Sequence, residues 1–169
     1  MDPKALYMLT YGMYVVSSKK GEKMNGQIAN TVFQTTSEPP MIAVCINKQN
    51  LTHEFIEESG VFTTSILSTE TPMTFIGHFG FKSGRDIEKF SGDIGYKMGV
   101  TGAPIALDYA VGYIEAEVVG KADAETHTLF IGKVVDAGVL EDKPPMTYAY
   151  YHEVKKGKAP KTAPTYIKI

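Results

Sequence analysis

The chain has 169 residues, and 17 Lys and Arg against 19 Asp and Glu give it a formal net charge of −2. This length fits a single domain, and this charge gives no reason to expect nucleic acid or an anionic membrane as a partner. Cys45 is the only cysteine, which excludes an internal disulfide and a paired-cysteine metal site. The N-terminus does not resemble a signal peptide and no apolar run approaches the ~18 residues of a membrane span, so we expect a cytoplasmic protein.

Three candidate strands begin the chain. Residues 7–18 are rich in aromatic and β-branched side chains, and residues 25–36 form a second candidate. Residues 41–47 are nearly all apolar, as in a strand that is covered on both faces. Pro39 and Pro40 cannot sit in a central ladder, so they mark the turn before this third strand.

A short helix and a fourth strand follow. Thr52 is the expected N-cap of the helix, and Gly60 fits its C-terminal stop. Residues 61–67 are predicted to form a strand. Thr71 and Pro72 resemble an N-cap followed by proline at the first helical position, which predicts a second helix towards residue 79.

The second half of the chain alternates between irregular and strand-like sequence. Residues 80–102 contain six glycines and predict a long irregular segment, which is usually functional or flexible. Residues 113–120 and 128–140 predict two long strands joined by a turn over residues 121–126. These elements favour an antiparallel barrel with peripheral helices. The Lys- and Pro-containing tail, residues 154–169, is typical of an extended arm or linker.

Several enzyme classes are disfavoured because their motifs are absent. The sequence has no GxGxxG after a strand, no GxxxxGK[ST] and no GxSxG, which argues against Rossmann dinucleotide sites, P-loop NTPases and α/β-hydrolases. His53 and Glu54 do not continue into HExxH, and we identify no metal site.

Two polar clusters are candidate ligand sites. In the second predicted strand, Asn30 and Gln34 share one parity, which fits either a polar ligand groove or an ordinary solvent-facing side. After the third strand, Asn47, Lys48 and Asn50 lead into a helix N-terminus, whose free N–H groups and positive dipole end favour a phosphate. The alternative there is ordinary helix capping beside a solvated Lys48.

A third cluster lies in the glycine-rich segment. Phe79, Gly80 and residues 84–90 combine glycines, basic residues and a Phe, which suits a loop that closes over a flat anionic ligand. A surface turn with a short solvated helix is the alternative. His127 precedes a long strand, and a lone histidine is more often structural than functional. Cys45 is expected to be a small buried apolar residue.

Four segments in series carry a family resemblance. They are residues 25–48 (NG-x-x-AN-x-x-x-Q, then PP and I-x-V-C-I-N-K), residues 52–67 (TH-x-x-I-x-x-SG-x-F), residues 79–90 and residues 126–134. Together they resemble the flavin reductase-like, FMN-binding split-barrel family. Within it, the chain looks most like the flavin domain of high-molecular-weight rubredoxins and their stand-alone relatives.

This resemblance implies a fold and an activity. It implies a mainly β, Greek-key split barrel with short peripheral helices over residues 1–154, a C-terminal arm or linker over 155–169, and a homodimer. The implied activity is an FMN-dependent, flavin reductase-like oxidoreductase that passes electrons from NADH or NADPH to flavin, a rubredoxin or another iron protein. An FMN electron carrier without a pyridine-nucleotide site and a barrel for a non-flavin ligand such as haem are the alternatives.

The resemblance also assigns residues. The phosphate site would contain Asn47, Lys48, Asn50 and Thr52. The ribityl chain and ring would meet Asn25, Gln27, Ile28, Ala29, Asn30, Thr31, Val32, Gln34 and Cys45, and the covering loop would supply Phe79, Lys89 and Phe90. His127 would touch the nicotinamide or the open flavin face and is the expected catalytic residue.

Overall fold

The computed structural model describes residues 1–166 and contains one large antiparallel sheet. Its strands are β1 (Tyr14–Lys20), β2 (Lys23–Ala29), β3 (Val32–Ser37), β4 (Pro40–Asn47), β5 (Val61–Leu67), β8 (Ala110–Ala124) and β9 (His127–Val139), with β6 (Tyr96–Met98) and β7 (Pro104–Ala106) forming a small second sheet. The helices are a 3-10 helix (Pro3–Met8), α1 (Leu51–Ser59), α2 (Met73–Gly80) and α3 (Tyr148–Glu153).

The strand order shows that the large sheet curls into a split barrel. The order is β2-β1-β5-β8-β9-β4-β3, so β2 and β3 lie at opposite edges. Only Asn30 and Thr31 separate these two strands in sequence, a reach of roughly 10 Å. The two edges must therefore come close together, although no ladder joins them among residues 1–166. Register shifts in β8, between Glu115 and Ala116 for example, supply the bend that such closure needs.

Two apolar clusters hold the helices against the barrel. One lies inside the barrel and receives Ile56 from α1, which contacts residues such as Phe62 and Phe130. The other lies outside it, where Phe75 and Phe79 of α2 pack with further core residues. Because both helices are fixed by buried apolar side chains, the N-terminus of α1 and the loop after α2 keep defined positions beside β2.

Several predicted boundaries were wrong. Residues 7–18 are not one strand, because the 3-10 helix ends at Met8 and β1 starts at Tyr14. Residues 25–36 form two strands, since the chain crosses between barrel edges at Asn30 and Thr31. The predicted turn over residues 121–126 is mostly strand, because β8 pairs with β9 as far as Ala124.

Helix ends also differ from the predictions. The N-cap of α1 is Asn50 and not Thr52, which is the second residue of the helix and accepts a hydrogen bond from Asn25. Helix α2 begins at Met73 after Pro72 as N-cap. Gly60 ends α1 with φ 69°, as predicted. None of the helices formed by residues 1–166 has the length and apolar character needed to cross a membrane.

Candidate functional site

A cavity of about 330 Å³ lies where β2, the end of β4, the start of α1 and the loop after α2 meet. This volume is in the usual range of small-molecule sites. Its lining includes residues 25–30, Cys45, Asn47, residues 49–52, residues 79–84, Lys89, Tyr148, Tyr151, Lys158 and residues 160–164. Eleven predicted cofactor residues share this wall: Asn25, Gln27, Ile28, Ala29, Asn30, Cys45, Asn47, Asn50, Thr52, Phe79 and Lys89.

The N-terminus of α1 forms one end of the cavity. Asn50 caps the helix with its backbone only, since its side chain makes no cap hydrogen bond. The Asn47 side chain accepts from the Gln49 backbone N–H at 2.9 Å, outside the helix. The first helical N–H groups, at Leu51 and Thr52, have no carbonyl partner within the helix, and their dipole end favours an anion.

Two buried carbonyl oxygens on β2 have no hydrogen-bond partner among residues 1–166. Asn25 Nδ2 donates to Thr52 Oγ1 at 2.8 Å, but Asn25 Oδ1 is buried and unpaired. Gln27 Oε1 is also buried without a partner. Because an unmet buried acceptor costs ~1–3 kcal/mol, a ligand that brings N–H or O–H donors would be stabilised here.

Glycines let the loop after α2 approach β2 closely. A Cβ at Gly84 would overlap Asn25 Oδ1 and lie 3.0 Å from Leu51 Cδ2. A Cβ at Gly80 would lie 3.3 Å from Ile28 Cγ1. These two glycines therefore fit the loop to β2 and to the start of α1, where a larger side chain would displace the wall.

Lys89 holds this loop in place. Its Nζ donates to the carbonyl oxygens of His78 and Lys82, and His78 Nε2 bonds to Lys89 O at 2.9 Å. Burial, assisted by the charge of Lys82, lowers the pKa of Lys89 from 10.5 to about 8. The ammonium lies 5.7 Å from the Phe79 ring centroid. Lys89 thus joins the two ends of the loop and places a cation in the cavity wall.

The chain returns to the cavity near its C-terminus, through residues 158–165, here called the C-terminal segment. His127 Nε2 bonds to Thr162 O at 3.1 Å. Asn30 Nδ2 donates to Thr165 Oγ1 at 2.9 Å, and this hydroxyl donates to Tyr148 Oη at 3.0 Å. These contacts fix the C-terminal segment as an outer wall, a role that its linker-like composition did not indicate.

Six predicted site residues do not lie on this wall: Thr31, Val32, Gln34, Lys48, Phe90 and His127. Lys48 forms an ion pair with Asp123, which directs its ammonium to the β8–β9 hairpin. Phe90 is buried behind Phe79, with 5.5 Å between ring centroids. His127 lies behind Thr162, to which it is bonded.

The other residues of this group belong to the barrel edge. Thr31 O accepts from the Cys45 backbone N–H at 3.1 Å, at the crossing between β2 and β3. Val32 and Gln34 line a second cavity of about 290 Å³, whose remaining wall is mainly apolar and includes Phe33, Ile66, Ile114 and Val134. The edge crossing therefore divides residues 25–36 between two cavities.

Charge and missed residues complete the description of the first cavity. Lys82, Lys89, Lys158 and Lys161 line it, and no Asp or Glu of residues 1–166 does. Sequence reasoning missed Gln49, Leu51, Lys82, Ser83, Tyr148, Tyr151, Lys158 and residues 160–164. Burial raises the pKa of the Cys45 thiol. The wall as a whole suits an anionic ligand with several donor groups.

The profile of the Flavin reductase like domain matches residues 6–157. The chain belongs to this family. This flavin reductase-like chain is 57% identical over 166 residues to a high molecular weight rubredoxin of Moorella thermoacetica, covering 98% of the chain and 72% of that protein. It is 53% identical over 167 residues to a ferric-chelate reductase (NAD(P)H) of Archaeoglobus fulgidus, covering 99% and 98%.

Solved structures of flavin reductase-like folds are similar. An NADH:FAD oxidoreductase of Streptomyces globisporus superposes with a TM-score of 0.76 at 22% identity, over 85% of this chain and 84% of that one. An FMN-binding protein of Thermus thermophilus gives a TM-score of 0.72 at 24% identity, over 80% and 75%. The predicted split-barrel fold is thereby confirmed.

Proposed function

We propose that this flavin reductase-like chain is an FMN-dependent oxidoreductase that takes electrons from NAD(P)H and passes them to an iron-containing acceptor. The observation that supports FMN is the combination of donors and acceptors in one cavity. The free N–H groups at the α1 start suit one phosphate. The unpaired oxygens of Asn25 and Gln27 suit the ribityl hydroxyls and the ring N–H. The residues present therefore fit FMN.

The chain's own residues would bind and orient the cofactor. Asn50, Leu51 and Thr52 would bind the phosphate through the helix end, with Lys82 nearby as a cation. Asn25, Gln27 and Asn30 would follow the ribityl chain along β2. The chemistry supplied by bound FMN is hydride uptake from a pyridine nucleotide and electron release to an acceptor. The protein needs no acid–base pair for the hydride transfer.

Contacts of Thr31, Val32, Gln34 and Phe90 with flavin stay predictions, whereas for Lys48 we now expect little contribution to flavin binding. Phe90 would act through Phe79, and Lys48 is held by Asp123.

His127 would contact nicotinamide only after its Nε2 leaves Thr162 O. We expect His127→Ala to keep FMN bound and to slow anaerobic flavin reduction by about tenfold, as for one lost positioning contact. Stopped-flow absorbance measures this. Thr165→Val is the control, since it loosens the segment and leaves His127 intact; equal slowing in both variants would remove His127 from the catalytic residues.

The acceptor is proposed from the two similar proteins. One is named as a high molecular weight rubredoxin and the other as a ferric-chelate reductase, and both names refer to iron. A rubredoxin and a ferric chelate are therefore the acceptors to assay first. A cytoplasmic location remains a prediction.

A homodimer is proposed from the second cavity. Its wall is largely aliphatic, and Phe33 at its rim is 48% exposed. It adjoins β3, an edge strand of the sheet. An apolar cavity beside an exposed edge is a typical place for contact between two copies of a chain.

Titration and reduction test the function. Fluorescence titration of the flavin-free protein with FMN and with FAD should show tighter binding of FMN, and mass spectrometry should identify FMN in the extracted chromophore. Anaerobic addition of NADH or NADPH should bleach the bound flavin. Bound FMN that stays oxidised would favour the electron-carrier alternative, and a haem spectrum or no flavin binding would overturn the proposal.

A further inference from the structure

We propose that Lys158 and Lys161 of the C-terminal segment form a second anion site, which binds phosphate groups of the pyridine nucleotide. This inference rests on the proposed function and adds to it the residues that recognise the electron donor. Both lysines are exposed, line the cavity, and form no ion pair with any carboxylate of residues 1–166.

The position of the segment separates this site from the flavin phosphate site. The α1 start meets β2 at Asn25, through Thr52. The C-terminal segment meets β2 at its other end, where Asn30 bonds to Thr165. Asn25 and Asn30 are five positions apart in extended chain, which corresponds to roughly 16 Å. FMN has one phosphate, so a phosphate bound at the α1 start leaves Lys158 and Lys161 without that group.

The ligand that fits the second end is the electron donor. If the α1 start binds the FMN phosphate, Asn30 and the C-terminal segment would lie on the side of the cavity that is left for the electron donor. Lys158 and Lys161 would there bind the phosphate groups of a pyridine nucleotide that reaches the flavin. The contacts of Thr162 with His127 and of Tyr151 Oη with Lys158 O, at 3.0 Å, hold the backbone that carries the two lysines against the cavity.

The test compares two lysine pairs in the full chain with FMN bound. Lys158→Ala/Lys161→Ala should raise the NADPH concentration for half-maximal flavin reduction by about tenfold, as expected for two lost surface ion pairs. The limiting reduction rate and the dissociation constant of FMN should stay within about twofold of the wild type. Lys23→Ala/Lys133→Ala removes two exposed lysines that do not line the cavity and should change neither quantity.

Calorimetric binding of unreactive NADP+ and NAD+ gives a readout that does not depend on turnover. Weaker binding of both nucleotides by the cavity variant would show that the two lysines bind the diphosphate. Weaker binding of NADP+ alone would show that they bind the 2′-phosphate. Either result supports the site. Unchanged nucleotide binding, or a loss of FMN affinity instead, would overturn this inference and leave the proposed function standing. A wild-type protein that binds no flavin would overturn both.

Discussion

The two cavities of the barrel are similar in volume, about 330 and 290 Å³, but they differ in their walls. The first combines a helix N-terminus, side-chain amides, glycines and four lysines. The second is lined mainly by aliphatic side chains, and none of the charged residues between 1 and 166 lies in its wall. Volume alone therefore does not separate a ligand site from an interface. The second cavity also has an unpaired hydroxyl, at Thr64, so what separates the two is the positive charge of the first cavity together with its unpaired amide oxygens.

The largest expected effect concerns the apolar cavity. Phe33→Asp should convert the proposed dimer into a monomer, because it places a charge in a buried apolar contact. Light scattering should then give the chain mass of 18.5 kDa where the wild type gives twice that value. Val139→Asp alters an exposed valine outside both cavities and should leave the mass unchanged. A monomeric wild-type protein would show that the second cavity is no interface between copies.

The ligand cavity should be more sensitive to shape. Gly84→Ala should raise the dissociation constant of FMN by about ten- to hundredfold, because the new methyl group displaces the Asn25 amide and its bond to Thr52. Fluorescence titration measures the constant. Gly77→Ala is the matched control, since a Cβ there meets nothing within 4 Å. Similar affinities in the two variants would show that flavin does not depend on this wall.

The buried cation predicts a pH dependence. The folded-state pKa of Lys89, about 8, lies below its ordinary 10.5, so the unfolded chain binds more protons between these values. Relative to Lys89→Met, the wild type should therefore gain stability as the pH rises from about 8 to 10.5, and should show no such change below this window. Denaturant unfolding at several pH values measures the difference. A stability difference between the wild type and Lys89→Met that does not change with pH would show that the Lys89 amine lies in water.

The smallest effect is expected for Lys48. Because Lys48 pairs with Asp123 and does not line the cavity, Lys48→Ala should change the dissociation constant of FMN by less than about twofold. Lys82→Ala, which removes a lysine of the cavity wall, should weaken FMN binding more. A tenfold or larger loss for Lys48→Ala would restore this residue to the phosphate site that the sequence predicted.

Local features of the sequence were sufficient for much of this protein. The apolar run of residues 41–47 lies in β4, Gly60 ends α1 in the left-handed conformation, and residues 61–67 are a strand. Most predicted cofactor residues on β2 and around the α1 start line one cavity. These features succeed because periodicity, glycine conformation and helix-end chemistry are properties of short segments.

Only the tertiary structure decided the features that depend on distant partners. Barrel closure splits residues 25–36 at Asn30, and sends Gln34 to a different cavity from Asn25. Lys48 is taken out of the cavity by Asp123, a residue far along the chain. The tail looked like a linker because it lacks periodicity, yet His127 holds it at the cavity through Thr162. A segment of low apolar content gives no local signal of position when single hydrogen bonds, formed after the barrel has closed, fix its place.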